Sequence, residues 1–342
     1  MPFCKIDFMN ILVSRTDRAG DLILTLPVFR ELRKAFPDAH LVAHVRKYTE
    51  PIARLCKEID EVILDDAVDD GLISTSLCNC FKEHEFSKAI IVHPAARSII
   101  AAWRAEIPVR IGRASNICQI FLNDGRVQKR SHNIKHEYEY NLDLLKGVVD
   151  DIEYKPYTFE ISDSLKEYGI SVLKNLYLSE SPIVIHPGHG GSAHNIAPEM
   201  YSKLAAQIIG MGRQVLISLG PGEESMEEAF FQLKDTNQIF FLKNIPGMDK
   251  LAGVFANCSA FVGGSTGPLH LAASIGLPCV AFFPPVKAMT PKRWGPVGCK
   301  SLVLKPSLPD CDSKCDNCDN KGCMKTIDVM LALGWLKDNS IY

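Results

Sequence analysis

Near the end of the chain, Gly263-Gly264-Ser265-Thr266-Gly267-Pro268-Leu269-His270-Leu271-Ala272-Ala273 follows the apolar run Ala260-Phe261-Val262. A short strand running into glycines, a hydroxyl pair and a helix start brings backbone N–H groups together at the positive end of the helix dipole, which is how phosphate is held. Thr266 stands where a helix cap belongs and Pro268 suits the first turn. A tight strand-to-helix turn with no ligand has the same signature, since the spacing is neither a Walker loop nor GxGxxG.

Two earlier loops repeat the pattern. Ile183-Val184-Ile185 leads into His186-Pro187-Gly188-His189-Gly190-Gly191-Ser192, and a strand over 214–219 leads into Gly220-Pro221-Gly222-Glu223-Glu224. Placed at the carboxyl ends of parallel strands, the three loops converge on one ligand. The glycine turns suit a diphosphate and Glu223 suits ribose hydroxyls; taken singly, Glu223 reads as a solvated helix residue and His186 and His189 as loop histidines. In the first half, Ile11-Leu12-Val13 leads to Gly20-Asp21. Asp21 reads either as a helix N-cap or as a carboxylate at the rim of a cleft.

Basic residues gather between them: Arg110, Arg113, Arg126, Lys129, Arg130, His132, Lys135 and His136. They read as a solvated charge run or, near a cleft, as a surface for a phosphorylated or carboxylated partner. Cys311, Cys315, Cys318 and Cys323 lie close enough to enclose a structural zinc or iron. Free or partly paired thiols fit the same run, because its spacing is not that of a two-knuckle zinc ribbon.

The elements that must position these groups follow from periodicity. The 342 residues are 46% hydrophobic and 23% charged, as in a soluble globular protein of two domains. A net charge of −2 gives no global attraction to nucleic acid, so anion binding has to be local. Twelve cysteines without a leader-like N-terminus place the chain, as an expectation, in the cytoplasm with reduced thiols. No apolar run nears the roughly 20 residues that span a bilayer, leaving peripheral contact at most. Strands are expected over 10–13, 41–45, 61–64 and 88–93, with one amphipathic helix over 21–36 and another over 136–149. Residues 150–182 read as the interdomain connection. The pattern then restarts: strands over 183–185, 214–219, 239–242, 260–262 and 279–283, helices over 198–211 and from Ser225, and a terminal helix over 331–336. This is α/β, two doubly wound domains in tandem.

Taken together, the residues resemble the heptosyltransferase-type glycosyltransferases of family 9. The resemblance runs nearly end to end through Gly20-Asp21, Thr25-Leu26-Pro27, Arg110-Ile111-Gly112, His136-Glu137-Tyr138-Glu139-Tyr140-Asn141-Leu142, His186-Pro187-Gly188, Gly220-Pro221-Gly222-Glu223, Thr266 to Ala273, Arg293-Trp294-Gly295-Pro296 and Cys323-Met324. It implies a GT-B fold, two Rossmann-like domains facing across a cleft, divided as 1–160 for the acceptor, 161–325 for the nucleotide sugar, and a helix over 326–342 packing back on the first domain.

The activity it implies is inverting, metal-independent transfer of a heptose from an ADP-activated donor to an anionic lipopolysaccharide core acceptor at the inner face of the cytoplasmic membrane, with no cofactor. Asp21 matches the catalytic base. His186, Gly188, Ser192, His194, Glu223, Ser265, Thr266, Gly267 and His270 fall to the donor, and Arg113, Arg126, Lys129 and Arg130 to the acceptor. Two positions depart from the family. Ser265 stands where many members have an aspartate, and His194-Asn195-Ile196 replaces a lysine-tryptophan pattern, with an imidazole whose charge depends on pH. Two other functions stay open: transfer from another nucleotide sugar or to a capsule or protein acceptor, and nucleotide binding without turnover.

Overall fold

The computed structural model describes residues 9–65, 73–190, 194–312 and 322–340. Its contacts divide the chain into two compact units, one of residues 1–130 and 137–157, the other of residues 131–136 and 158–342.

In the first unit six parallel strands form one sheet: β1 (Asn10–Arg15), β2 (His40–Arg46), β3 (Glu61–Asp65), β4 (Lys88–Ile91), β5 (Val109–Arg113) and β6 (Asp124–Arg126), in the order β3-β2-β1-β4-β5-β6. The inner strands are apolar and buried on both faces, as a sheet covered by helices requires. The second unit repeats this with β7 (Ile183–His186), β8 (Val215–Ser218), β9 (Ile239–Leu242), β10 (Ala260–Gly264), β11 (Cys279–Phe282) and β12 (Ser301–Leu304), ordered β12-β11-β10-β7-β8-β9. Both are the same topology, in which the winding reverses between the first and fourth strands of each unit. Ligands bind at that reversal in open α/β sheets. Asp21 follows β1, and the two longer glycine loops follow β7 and β10, so all three stand at a reversal point.

Several local expectations are corrected. The single helix over 21–36 is two, Ala19–Ile23 and Leu26–Ala35. Pro27 lacks the N–H that would continue the first helix, and the Thr25 hydroxyl donates instead to the Asp21 carbonyl at 2.8 Å. Part of the basic run lies within the sheet, where β5 and β6 carry Arg110, Arg113 and Arg126. The helix over 136–149 is shorter, Glu137–Leu142 followed by a 3-10 turn. The segment after Glu223 is a 3-10 helix, Glu224–Thr236. The terminal helix, Leu331–Asn339, buries Ala332 and Leu336 in the core of the second unit, with Tyr201, Leu204 and Ile208, rather than in that of the first. No described helix is long and apolar enough to cross a membrane.

Candidate active site

In the first unit β1 ends at Arg15, and the short loop after it turns into the helix Ala19–Ile23. Asp21 is not the N-cap, a position taken by Arg18; it lies in the first turn, where the helix dipole favours a negative charge. Its Oδ1 accepts from Arg15 Nη2 at 2.5 Å. Arg15 is buried, and it also donates through Nε to Asp17 Oδ1 at 2.7 Å and lies 3.7 Å from Glu137 Oε1. Glu137 in turn pairs with Arg130, and Asn141 accepts from both guanidiniums at 3.5 and 3.2 Å. The Asn141 amide donates to Leu24 O and Thr25 Oγ1 at 3.0 and 3.2 Å, which ties the network to the break between the two helices. His93, just after β4, closes it from the other side, 3.2 Å from Asp17 Oδ2.

Charges buried together shift one another's proton affinity. Burial, with Asp17 and Glu137 adding to it, pushes the Asp21 carboxyl up to about 6 against the pull of Arg15. Burial also opposes ionisation of Asp17, but Arg15 and His93 overcome it and hold that carboxyl down at about 2. The two acids thus divide: Asp17 stays charged and anchors Arg15, while Asp21 is ionised at neutral pH yet basic enough to take a proton. Of the basic residues assigned to the acceptor, Arg113 ends β5 half-buried and Lys129 is exposed. Arg126 is clamped by Asp124 at 2.6 Å, and Arg130 is buried on Glu137, so both guanidiniums already carry carboxylate partners.

In the second unit the three loops leave neighbouring inner strands at the same end of the sheet, since β8 and β10 flank β7 and all three are parallel. His186 ends β7; its ring Nδ1 lies 2.9 Å from Ser218 O, which fixes that nitrogen as the donor, and Nε2 faces Glu223 Oε2 at 3.9 Å. Burial lowers its proton affinity against the pull of Glu223, so the ring is neutral. Glu223 Oε2 accepts from Gly220 N at 2.8 Å and lies against Gly188, where an added Cβ would stand 2.0 Å from the carboxylate. Glycine at 188 is what admits Glu223.

Asn195 joins the first loop to the third. Its amide donates to Pro187 O at 3.1 Å, its Oδ1 accepts from the Tyr201 hydroxyl at 2.8 Å, and it lies so close over Gly264 that a Cβ there would meet Oδ1 at 2.7 Å. Gly267–Ser274 is a helix as expected, with Pro268 in its first turn, but the role of Thr266 is corrected. Thr266 occupies the N-cap position without capping, because its hydroxyl turns back to Gly264 O at 3.4 Å. His270 is buried, and its Nδ1 has no hydrogen-bond partner among the described residues. Burial and the charge of His136 push it down to about 3, so this imidazole is neutral too. His194 is exposed, and Ser265 and Gly267 are half-buried. Ser192, Cys315 and Cys318 lie outside the described residues. Of the same cysteine run, Cys311 bridges to Val286, and Cys323 opens a short 3-10 helix packed on the core.

Sequence reasoning missed Arg15, Asp17, Glu137, Asn141 and Asn195 as site residues. A signal existed for two of them: Glu137 and Asn141 are four residues apart, on one helix face. Nothing local links that face to Arg15.

The family model described as glycosyltransferase family 9 (heptosyltransferase) matches residues 75–322. A Haemophilus influenzae protein with a provisional glycosyltransferase name is 30% identical over 84% of this chain and 86% of its own. Lipopolysaccharide heptosyltransferase 2 of Escherichia coli is 24% identical over 87% of this chain and 88% of its own. The solved E. coli ADP-heptose lipopolysaccharide heptosyltransferase II superposes with a TM-score of 0.76 at 21% identity, over 96% of this chain and all of that one. At that identity the superposition establishes the fold.

Proposed function

The chain belongs to glycosyltransferase family 9 and has its GT-B fold, and from that membership we propose that it transfers a heptose from ADP-heptose to a lipopolysaccharide core acceptor, with inversion and without a metal ion. The observation that carries the reading is Asp21, a carboxylate at the reversal point of the first sheet whose proton affinity is raised to about 6 by burial. Inversion in one displacement needs a base that removes the acceptor hydroxyl proton as the bond to the sugar forms, and such a base works best with a pKa near the working pH. Arg15 keeps the carboxylate in place through the reaction. The leaving ADP needs stabilisation of its diphosphate, and the uncapped N–H groups at Gly267–Ser274 are donors of the kind that supply it. Glu223, beside Gly188 and Gly220, suits ribose hydroxyls. Lys129 and Arg113 suit the phosphates of the acceptor, and a lipid-borne acceptor brings the protein into peripheral contact with the inner face of the cytoplasmic membrane.

A second reading, the same chemistry with another nucleotide sugar or acceptor, is favoured at one position: Ser265 lacks the charge that an aspartate there would offer to sugar hydroxyls. A thermal-shift screen with ADP-, UDP- and GDP-sugars separates the two, since a ligand bound only by the native state raises the melting temperature. ADP-heptose is expected to give the largest rise. A larger rise with a UDP- or GDP-sugar replaces the donor assignment and leaves the base in place.

A further inference from the structure

The edge of the first sheet carries apolar side chains that the site does not use. Ile117–Phe121, between β5 and β6, is a 3-10 helix, in which residues three apart eclipse one another. Ile117 and Ile120 therefore share one face, and they are 82% and 71% exposed. Val127, directly after β6, is 79% exposed, and Trp103 at the end of Ala96–Arg104 is 44% exposed. Single exposed apolar residues are ordinary on a protein surface; large aliphatics gathered on adjoining segments are not.

The face is held rigidly. Trp103 packs on Phe121 with ring centroids 4.7 Å apart, Arg110 Nε donates to Phe121 O at 2.8 Å, and Asn116 accepts from Cys118 N at 3.0 Å while its amide donates to Pro94 O at 2.9 Å. Ile117 and Ile120 are thus presented outward by an anchored turn.

Charge selects the partner. From 103 to 130 the chain has six basic residues, Arg104, Arg110, Arg113, Arg126, Lys129 and Arg130, against two acids, Glu106 and Asp124, in a protein whose net charge is −2. Arg126 is paired with Asp124 and Arg130 with Glu137, while Arg104 and Lys129 are exposed. Aliphatic side chains that enter the acyl boundary, ringed by cations that meet lipid phosphates, make a surface for anionic membrane. We propose that this edge, with Ile117, Ile120 and Val127 exposed and the exposed cations Arg104 and Lys129 on the same stretch of chain, docks on an anionic lipid bilayer. The proposal deepens the membrane contact in the transfer reading and rests on it for its purpose, while the binding itself stands on the geometry above.

Flotation of the full chain with vesicles tests it without any sugar donor. The protein is expected to float with phosphatidylcholine vesicles containing phosphatidylglycerol, to stay behind with phosphatidylcholine alone, and to be released by high salt. The double variant Ile117→Asp, Ile120→Asp is expected to lose about tenfold or more of the bound fraction with an unchanged melting temperature, and Arg104→Glu with Lys129→Glu to lose less. Wild-type protein that ignores anionic vesicles, or a double variant that floats equally well, overturns the proposal. So does concentration-dependent dimerisation in sedimentation that the double variant abolishes while neither protein binds vesicles, which gives the face to a second copy. Transfer activity in a protein that does not bind vesicles refutes the surface alone, and an inactive Asp21→Asn protein that floats normally supports the surface whatever becomes of the transfer reading.

Discussion

The two units repeat one strand order but fill the reversal point with opposite materials. After β1 the first unit buries formal charges: Arg15 against Asp17, Asp21 and Glu137, with Arg130 and Asn141 behind. After β7 and β10 the second unit presents mostly neutral dipoles: uncapped helix N–H groups, Asn195, and two imidazoles kept uncharged by burial, with the half-buried Glu223 carboxylate among them. Each suits a different task. A base has to have its proton affinity set by burial and neighbouring charges, whereas a site for a doubly charged diphosphate needs oriented dipoles more than charges of its own.

The comparison breaks most sharply at Asp21. If the charged site does the proton chemistry and the neutral one does the binding, Asp21→Asn should lower kcat by about 10²–10⁴-fold while donor affinity, measured by calorimetry, stays within about twofold. Turnover close to wild type removes Asp21 from the mechanism, and lost donor binding breaks the division of labour. Wild-type kcat should fall as pH drops through about 6, where Asp21 takes up its proton.

Glu137→Gln probes the network rather than the base. Removing one partner of a buried ion pair costs about 3–5 kcal/mol, so the melting temperature should drop markedly. Loss of that negative charge also lowers the proton affinity of Asp21, because Glu137 raises it and Arg15 is then shared with fewer acids. The acid limb of the kcat profile should therefore move to lower pH, by roughly half a unit or more. A limb that moves up, or stays put in a folded variant, disconnects Glu137 from the base.

The smallest effect is a near-absence of one. Burial lowers the proton affinity of both His186 and His270, so neither imidazole takes up charge between pH 7.5 and 9. In a His194→Gln background, donor affinity should vary less than about twofold over that interval. A steep dependence would mean that a buried imidazole becomes charged on binding, and the second site would no longer count as neutral.

Much of this is legible in the sequence. Apolar runs marked the inner strands, and glycines at their ends marked the loops. β5 and β6 were not legible, because Val109-Arg110-Ile111-Gly112-Arg113 and Asp124-Gly125-Arg126 lack the apolar continuity of a buried strand and join the sheet by pairing outward, β5 on β4 and β6 on β5. The split near Thr25 was signalled by Pro27, but Asn141, over a hundred residues on, is what secures it.

The sequence by itself determined the parallel α/β architecture and the positions of Asp21 and the glycine loops at strand ends, because strand formation and tight turns depend on residues near in the chain. Tertiary structure decided which charges meet. That Arg15 joins Asp21 to Glu137, that Arg130 faces inward, that Asn195 covers Gly264 and that Thr266 leaves its helix uncapped all depend on distance and burial between remote segments. Electrostatic energy is set by those two quantities, and no local pattern of residues encodes them.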